Sequence, residues 1–375
     1  MDEVRISDYP RSAAWIKASY ESERDHLIDY GGEEGSSSFS AFIDEASIAI
    51  GTSETTLATL STSFSAGNNF VIAIIEFQST ATLDPAISAG NLKLTKSGTT
   101  LRSNQYVITI SSSDPQNQKW FALMAFDSGA GANPSYDVRA TAHGTGISGE
   151  TKILAIGGLT GSSVQGSSIT IDDVETTLAT LPTSLPAGDN VVVAILESVN
   201  TATGARNLGN PSFRISRGSA LADGQYWMFH LGKATIPRWH VHLIPYLDVG
   251  APANPTYTAS SQASWKGSID GRATIVAFSV TSMSGLSAAY SDGGDTVLST
   301  SETTMNTLST SFQSGSEVAV IASEQFYWGA SSGNDYINVN YDVLQQNDQS
   351  AGQATNQYTI KHGDFIDDDT GKGFG

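Results

Sequence analysis

One stretch occurs three times in this chain. Glu54-Thr-Thr-Leu-Ala-Thr-Leu60-Ser-Thr-Ser-Phe64-Ser-Ala-Gly67 precedes an apolar run, 70–75, and then Glu76. It returns as Glu175-Thr-Thr-Leu-Ala-Thr-Leu181-Pro-Thr-Ser-Leu185-Pro-Ala-Gly188 before the run 191–196 and Glu197. The third copy is Glu302-Thr-Thr-Met-Asn-Thr-Leu308-Ser-Thr-Ser-Phe312-Gln-Ser-Gly315, before 318–321 and Glu324. The copies start 121 and then 127 residues apart, and in each the two glutamates are 22 apart. Such spacing describes a tandem array of one domain, at a period within the usual domain size.

Between these landmarks the pattern is short strands and turns. In the first copy, strands are predicted at 47–50, 70–75, 91–95, 105–110, 120–126, 136–142 and 153–156, separated by turns such as Ser97-Gly98 and Gly129-Ala-Gly-Ala-Asn-Pro134. The second copy keeps the order and repeats that turn as Gly250-Ala-Pro-Ala-Asn-Pro255. Many short strands without a long amphipathic helix point to an all-β fold: tandem β-sandwich domains, jelly-roll or immunoglobulin-like. Residues 55–64 are ambiguous, because Leu57, Leu60 and Phe64 have helix-like spacing in a Thr-rich segment that favours extended chain.

The division that follows is a segment 1–34, a linker 35–46, repeat 1 over 47–158, a linker 159–166, repeat 2 over 167–281, a linker 282–294, and repeat 3 over 295–375. Carrying the 127-residue step forward puts the third Asn-Pro turn past position 375. The last sandwich is therefore expected to be incomplete, with its final three strands missing. Either the sequence is cut at both ends, or a neighbour's strand completes the sheet as in donor-strand filaments.

Residues 1–34 are of another kind. Asp2-Glu-Val-Arg-Ile-Ser-Asp, followed by Arg11-Ser-Ala-Ala-Trp-Ile-Lys-Ala-Ser-Tyr-Glu21, resembles the closing segment of a laminin G-like, concanavalin A-like jelly roll. The resemblance implies a preceding jelly roll whose calcium- and sugar-binding loops lie upstream, so no functional residue carries over. Gly31-Gly-Glu-Glu-Gly-Ser-Ser-Ser38 then reads as a linker.

Composition limits the functional classes. The formal net charge is −19 with a pI near 4.5 and no run of Lys or Arg; nucleic acid and anionic membrane surfaces, which need clustered cations, are not expected partners. With no cysteine, thiol catalysis, zinc-thiolate sites and disulfides are excluded. No apolar run approaches the roughly 18–20 residues that span a bilayer, and the charged start Met1-Asp-Glu-Val-Arg is not a signal peptide. Only 15% of residues are charged, so the surface is made polar mostly by Ser, Thr, Asn and Gly, a palette common in secreted β-proteins.

Four groups could carry chemistry. The repeated acids, Glu54 with Glu76, Glu175 with Glu197 and Glu302 with Glu324, could pair as glycosidase carboxylates do at about 5–10 Å; three copies favour a structural role. His240 and His242 alternate on one strand, with His230 before them, a three-His set of the kind zinc accepts, against a plainer reading as solvent-facing histidines. Asp364, Asp367, Asp368 and Asp369 among glycines suggest a calcium loop in outline, but the EF-hand spacing is not met. Trp265, Phe326, Tyr327 and Trp328 could stack on sugar rings. None of these patterns is strong enough to assign a catalytic, cofactor or metal residue.

The expectation is a non-catalytic structural or adhesive module of a secreted or surface-displayed multidomain protein, a spacer, stalk or fibre at a cell or virion surface. Its partners would be glycans or other surface proteins. A carbohydrate-binding array acting through avidity is the alternative, and a glycoside hydrolase or filament subunit comes after it.

Overall fold

The structure, a computed structural model of the 375-residue chain, describes residues 40–81, 85–110, 118–200, 208–224, 238–263, 269–281, 287–291, 303–310, 318–323, 335–336, 343–346, 356–362 and 366–367. Among these, every regular element is a strand. Segment 1–34 and its laminin G-like resemblance fall outside the described residues.

Repeat 1 is built from β1 (Ser40–Ile50), β2 (Thr55–Ser61), β3 (Gly67–Ser79), β4 (Ala86–Ile87), β5 (Lys93–Lys96), β6 (Thr99–Ser103), β7 (Ile108–Thr109), β8 (Gln118–Ala130), β9 (Ser135–Ala140) and β10 (Ile147–Ile156). It forms two antiparallel sheets, in the orders β1-β10-β3-β8 and β2-β9-β5-β6, with β4 and β7 as a small extra pair. The first strand pairs with the last and the second with the last but one. That nested order is a jelly roll, which decides between the two sandwich types expected.

Repeat 2 repeats the plan with β11 (Thr160–Gln165), β12 (Ile169–Ile171), β13 (Thr176–Pro182), β14 (Gly188–Asn200), β15 (Leu208–Arg217), β16 (Ser219–Gly224), β17 (Arg238–Ala251), β18 (Thr256–Ala263) and β19 (Ile269–Ser279). Its sheets run β11-β19-β14-β17 and β13-β18-β15-β16, and β12 also pairs with β19. The single long β1 of repeat 1 is thus replaced by two shorter strands.

The ambiguous Thr-rich segments are strands, and their helix-like spacing has a cause. Pairing of β2 with β9 slips between Thr56 and Ala58, and pairing of β13 with β18 slips between Thr177 and Ala179. An extra residue at such a bulge reverses which side chains point inward. Leu57, the extra residue at the slip, is buried, and so are Ala58, Leu60 and Phe64 after it. The turn that follows β8 is pinned to the same segment: Asn133 N donates to Phe64 O at 2.8 Å and Thr62 Oγ1 donates to Pro134 O at 2.8 Å. Asn133 and its counterpart Asn254 have φ of 51° and 54°, a left-handed conformation in which asparagine is among the few tolerated residues.

The central strand β3 is buried from Phe70 to Ile75 on both faces. Its odd-numbered side chains face the second sheet of the same sandwich. Its even-numbered ones face outward, onto repeat 2: Phe70 stacks on Phe278 with ring centroids 5.5 Å apart. One continuous core joins Phe70, Met124 and Phe126 to Val193, Ile195, Val241, Leu243, Val276 and Phe278, and Ala319 and Ile321 of repeat 3 pack against it. The alternate residues of β14, Val192, Ala194 and Leu196, enter a separate core with Leu181, Phe213 and Tyr257 inside repeat 2. Each outward apolar side chain buried in the shared core stabilises the packed repeats by about 1.5–3 kcal/mol.

Two boundaries move accordingly. Residues 159–166, expected as a linker, contain β11, which pairs with β19 from Thr160↔Ser279 to Gln165↔Thr274; β1 likewise starts at Ser40, inside the expected linker 35–46. The Gly-Ser-Ser composition that looks like a linker has a packing reason: a Cβ on Gly161 would stand 2.6 Å from Ala277 O and 2.7 Å from the Phe126 ring.

Repeat 3 contributes β20 (Thr303–Thr310), β21 (Val318–Ile321), β22 (Asp335–Tyr336), β23 (Val343–Gln346), β24 (Asn356–His362) and β25 (Ile366–Asp367), paired as β20–β24, β21–β23 and β22–β25. Among the described residues it shows two-stranded pieces in place of four-stranded sheets. One strand expected past position 375 is nevertheless within the chain: β24 pairs with β20 through Leu308↔Tyr358, with a slip between Thr304 and Asn306. Leu60↔Tyr136 and Leu181↔Tyr257 are the same pairing in repeats 1 and 2. The extrapolation failed because this repeat is shorter ahead of its tyrosine strand.

Candidate functional site

Among the described residues, the repeated glutamates do not form carboxylate pairs within their repeats. Glu54 precedes β2 on the solvent face of the second sheet, where its carboxylate accepts Lys93 Nζ at 2.8 Å and Arg139 Nη1 at 3.4 Å. The hydrogen bond from Lys93 holds its carboxyl below the ordinary range. Glu175 repeats the arrangement with Arg214 Nη1 at 2.9 Å and Ser260 Oγ at 2.5 Å. Glu76 and Glu197 stand on the outward faces of the first sheets, so a whole sandwich about 10 Å thick separates each from its partner in sequence. A glycosidase pair is therefore not assembled from Glu54 and Glu76 or from Glu175 and Glu197. Glu302 and Glu324 lie outside the described residues.

Glu197 instead belongs to a polar cluster at the seam between repeats 1 and 2. Its Oε2 accepts Arg272 Nε at 2.5 Å, and its Oε1 accepts the backbone N–H of Gln105 at 3.4 Å. Arg272 Nη2 also donates to Ser103 O at 2.6 Å, Arg102 Nη2 reaches Ser163 Oγ at 3.4 Å, and Tyr106 OH lies 2.8 Å from Ser168 Oγ. Burial pushes the Glu197 carboxyl up while the Arg272 guanidinium pulls it back. Burial, and then the charge of Arg272, lower Arg102. Tyr106 is pushed up to about 12 by burial. In repeat 1 the register is the same but the facing residue differs: Glu76 faces Glu150 where Glu197 faces Arg272.

A second cluster lies inside each of the first two sandwiches and escaped sequence reading. Asn69 Nδ2 donates to Tyr136 OH at 2.7 Å, Tyr136 OH donates to Asp127 Oδ2 at 3.0 Å, and Lys96 Nζ donates to Asp127 Oδ1 at 2.5 Å. In repeat 2, Asn190 Nδ2 donates to Tyr257 OH at 3.0 Å and Tyr257 OH to Asp248 Oδ2 at 2.9 Å; Arg217 Nε and Nη2 donate to Asp248 at 2.7 and 3.0 Å. Asn69, Tyr136, Asn190 and Tyr257 are fully buried, and Asp127 and Asp248 nearly so. Burial pushes both phenols far above their ordinary range. All four positions recur 121 residues apart, the signal that could have revealed them.

The histidine reading is corrected at His242. Val241 and Leu243 face the seam, so His242 points between the sheets of repeat 2, buried, with its ring 6.4 Å from that of Phe213. It is not a solvent-facing strand histidine. His240 lies two residues earlier on β17, and His230 is outside the described residues. So are Asp364, Asp368, Asp369, Trp265, Phe326, Tyr327 and Trp328; Asp367 ends β25. Among the described residues no group of three His, Asp or Glu is placed to hold a metal ion, and no helix is long and apolar enough to cross a membrane.

No protein family and no curated protein matches the sequence. Solved structures do. PNGF-II is similar over 63% of this chain and 64% of its own, at 8% identity and a TM-score of 0.30. The major capsid protein P2 of bacteriophage PM2 is similar over 64% of this chain and 97% of its own, at 12% identity and a TM-score of 0.25. The N-terminal CBM22-1-CBM22-2 tandem domain of Paenibacillus barcinonensis Xyn10C is similar over 64% and 93%, at 10% identity and a TM-score of 0.18. This chain spans just under two thirds of the length of PNGF-II.

Proposed function

We propose that this chain is a non-catalytic structural module of a surface-displayed or secreted multidomain protein, at a cell or virion surface, meeting glycans or other surface proteins. The observation that supports this reading is the shared core of the jelly rolls. Beads on a string would each bury their own core and hinge between. Here the outward faces of β3, β8, β14, β17 and β19 are spent on one another, which favours a stiff block over an articulated stalk. The repeated acids fit the same role, since Glu54 and Glu175 brace a sheet surface and Glu197 joins two repeats.

Antibodies raised against the chain should label intact source cells or particles without permeabilisation; labelling that needs lysis would overturn the display reading. The full chain should leave a broad polysaccharide panel undegraded. Hydrolysis lost in Glu197→Gln would overturn the non-catalytic reading, and glycan-array binding without hydrolysis would shift it to the carbohydrate-binding alternative.

A further inference from the structure

The buried cluster is built with a lysine in repeat 1 and an arginine in repeat 2, and the geometry differs. Arg217 spans both oxygens of Asp248. Lys96 reaches only Oδ1 of Asp127, at 2.5 Å, and leaves Oδ2 to the Tyr136 hydroxyl at 3.0 Å. The Tyr136 oxygen is in turn held by the Asn69 amide at 2.7 Å. An amine therefore stands against one side of a carboxyl group that is 4% exposed, while a fixed donor points at its other oxygen. A guanidinium is permanently charged and cannot act as a nucleophile, whereas a lysine amine can once it has lost a proton.

We propose that Lys96 Nζ and Asp127 Cγ condense to an amide, a covalent tie between the two sheets of the first sandwich. The ammonium passes one proton to Oδ1, leaving a neutral amine beside a neutral carboxyl group. The amine attacks Cγ, and the negative charge of the tetrahedral adduct collects on Oδ2, where Tyr136 donates. A second proton moves from nitrogen to Oδ1, the Cγ–Oδ1 bond breaks, and water leaves. No oxidant, reductant or co-reactant is needed. Burial keeps the Tyr136 phenol protonated well above neutral pH, so it stays a donor. Holding the groups together supplies the effective concentration that amide formation lacks in water, and the partly exposed Lys96 side chain gives the water a way out. In a chain with no cysteine this bond would take the place of a staple, tying β5 to β8.

Intact-mass measurement of the denatured full chain tests the proposal. The expected result is a mass lower by one water, with a proteolytic fragment in which the peptides containing Lys96 and Asp127 are joined. Both signatures should vanish in Lys96→Arg, which installs the side chain that repeat 2 carries in the same fold and so should remain folded. A wild-type chain at full mass that yields only linear peptides would overturn the proposal and leave an ion pair.

Discussion

Apart from the exchange of Lys96 for Arg217, repeats 1 and 2 agree where each sandwich closes on itself and diverge where it meets something else. The Asn-Tyr-Asp cluster keeps its residues and its geometry in both copies. The outward strand does not: Glu197 faces Arg272 and accepts a backbone N–H from repeat 1, while Glu76 faces Glu150. Copied residues therefore report the internal needs of one jelly roll. Divergent residues report its place in the array.

The comparison can be broken most forcefully at the seam. Glu197→Ala leaves Arg272, 11% exposed, without its carboxylate, and a buried charge so stranded costs about 3–5 kcal/mol. Chemical denaturation should show this loss. If Glu76→Ala costs as much, the two positions are equivalent and the contrast is wrong.

Asp248→Ala removes the acceptor of both Tyr257 and Arg217. Because Arg217 is 29% exposed, the expected loss is smaller, about 2–3 kcal/mol. The thermal midpoint of the full chain should fall, and more than it does for Glu175→Ala.

Tyr136→Phe and Tyr257→Phe should each cost about 1–2 kcal/mol, since the buried amide and carboxylate lose a partner. They also carry a pH signature. Both phenols have folded pKa values raised above the unfolded value of about 10, so the neutral form is the one the fold favours. Their contribution is complete below that value and is lost as pH rises through the folded one. Denaturation midpoints followed upward from pH 9 should therefore fall less steeply in the double Phe variant than in wild type.

The smallest effect is expected at Glu54, whose carboxylate is exposed between Lys93 and Arg139. Glu54→Ala should change stability by no more than about 0.5 kcal/mol, and that little should fade on acidification because its carboxyl is held below the ordinary range. A loss rivalling Glu197→Ala would mean that the surface acid, and not the seam acid, organises the repeat.

Much of the fold was legible because it is repeated. The Glu-Thr-Thr-Leu copies and the Asn-Pro turns located the sandwiches, and Leu57 with Leu60 was the trace of a bulge, read as an ambiguity for want of its partner strand. The buried cluster could have been found by matching Asn69, Lys96, Asp127 and Tyr136 to Asn190, Arg217, Asp248 and Tyr257. In the third copy the sequence offers Glu317 before β21, Asn347 after β23 and Tyr358, the acid and the amide in exchanged order; Glu317 and Asn347 lie outside the described residues. The seam was not legible. Ser103, Gln105, Glu197 and Arg272 belong to different repeats and share no periodicity.

By itself, the sequence determined that this is an array of all-β repeats, because alternation, turns and copy spacing are local properties that survive in one dimension. Only the tertiary structure decided that the first two repeats are jelly rolls sharing a core, that a Gly-Ser-Ser segment is a strand, and that Glu54 and Glu76, like Glu175 and Glu197, face opposite ways. Those outcomes depend on which faces are covered. An apolar run such as 70–75 looks the same whether its outer side meets a second sheet of its own domain or the flank of the next.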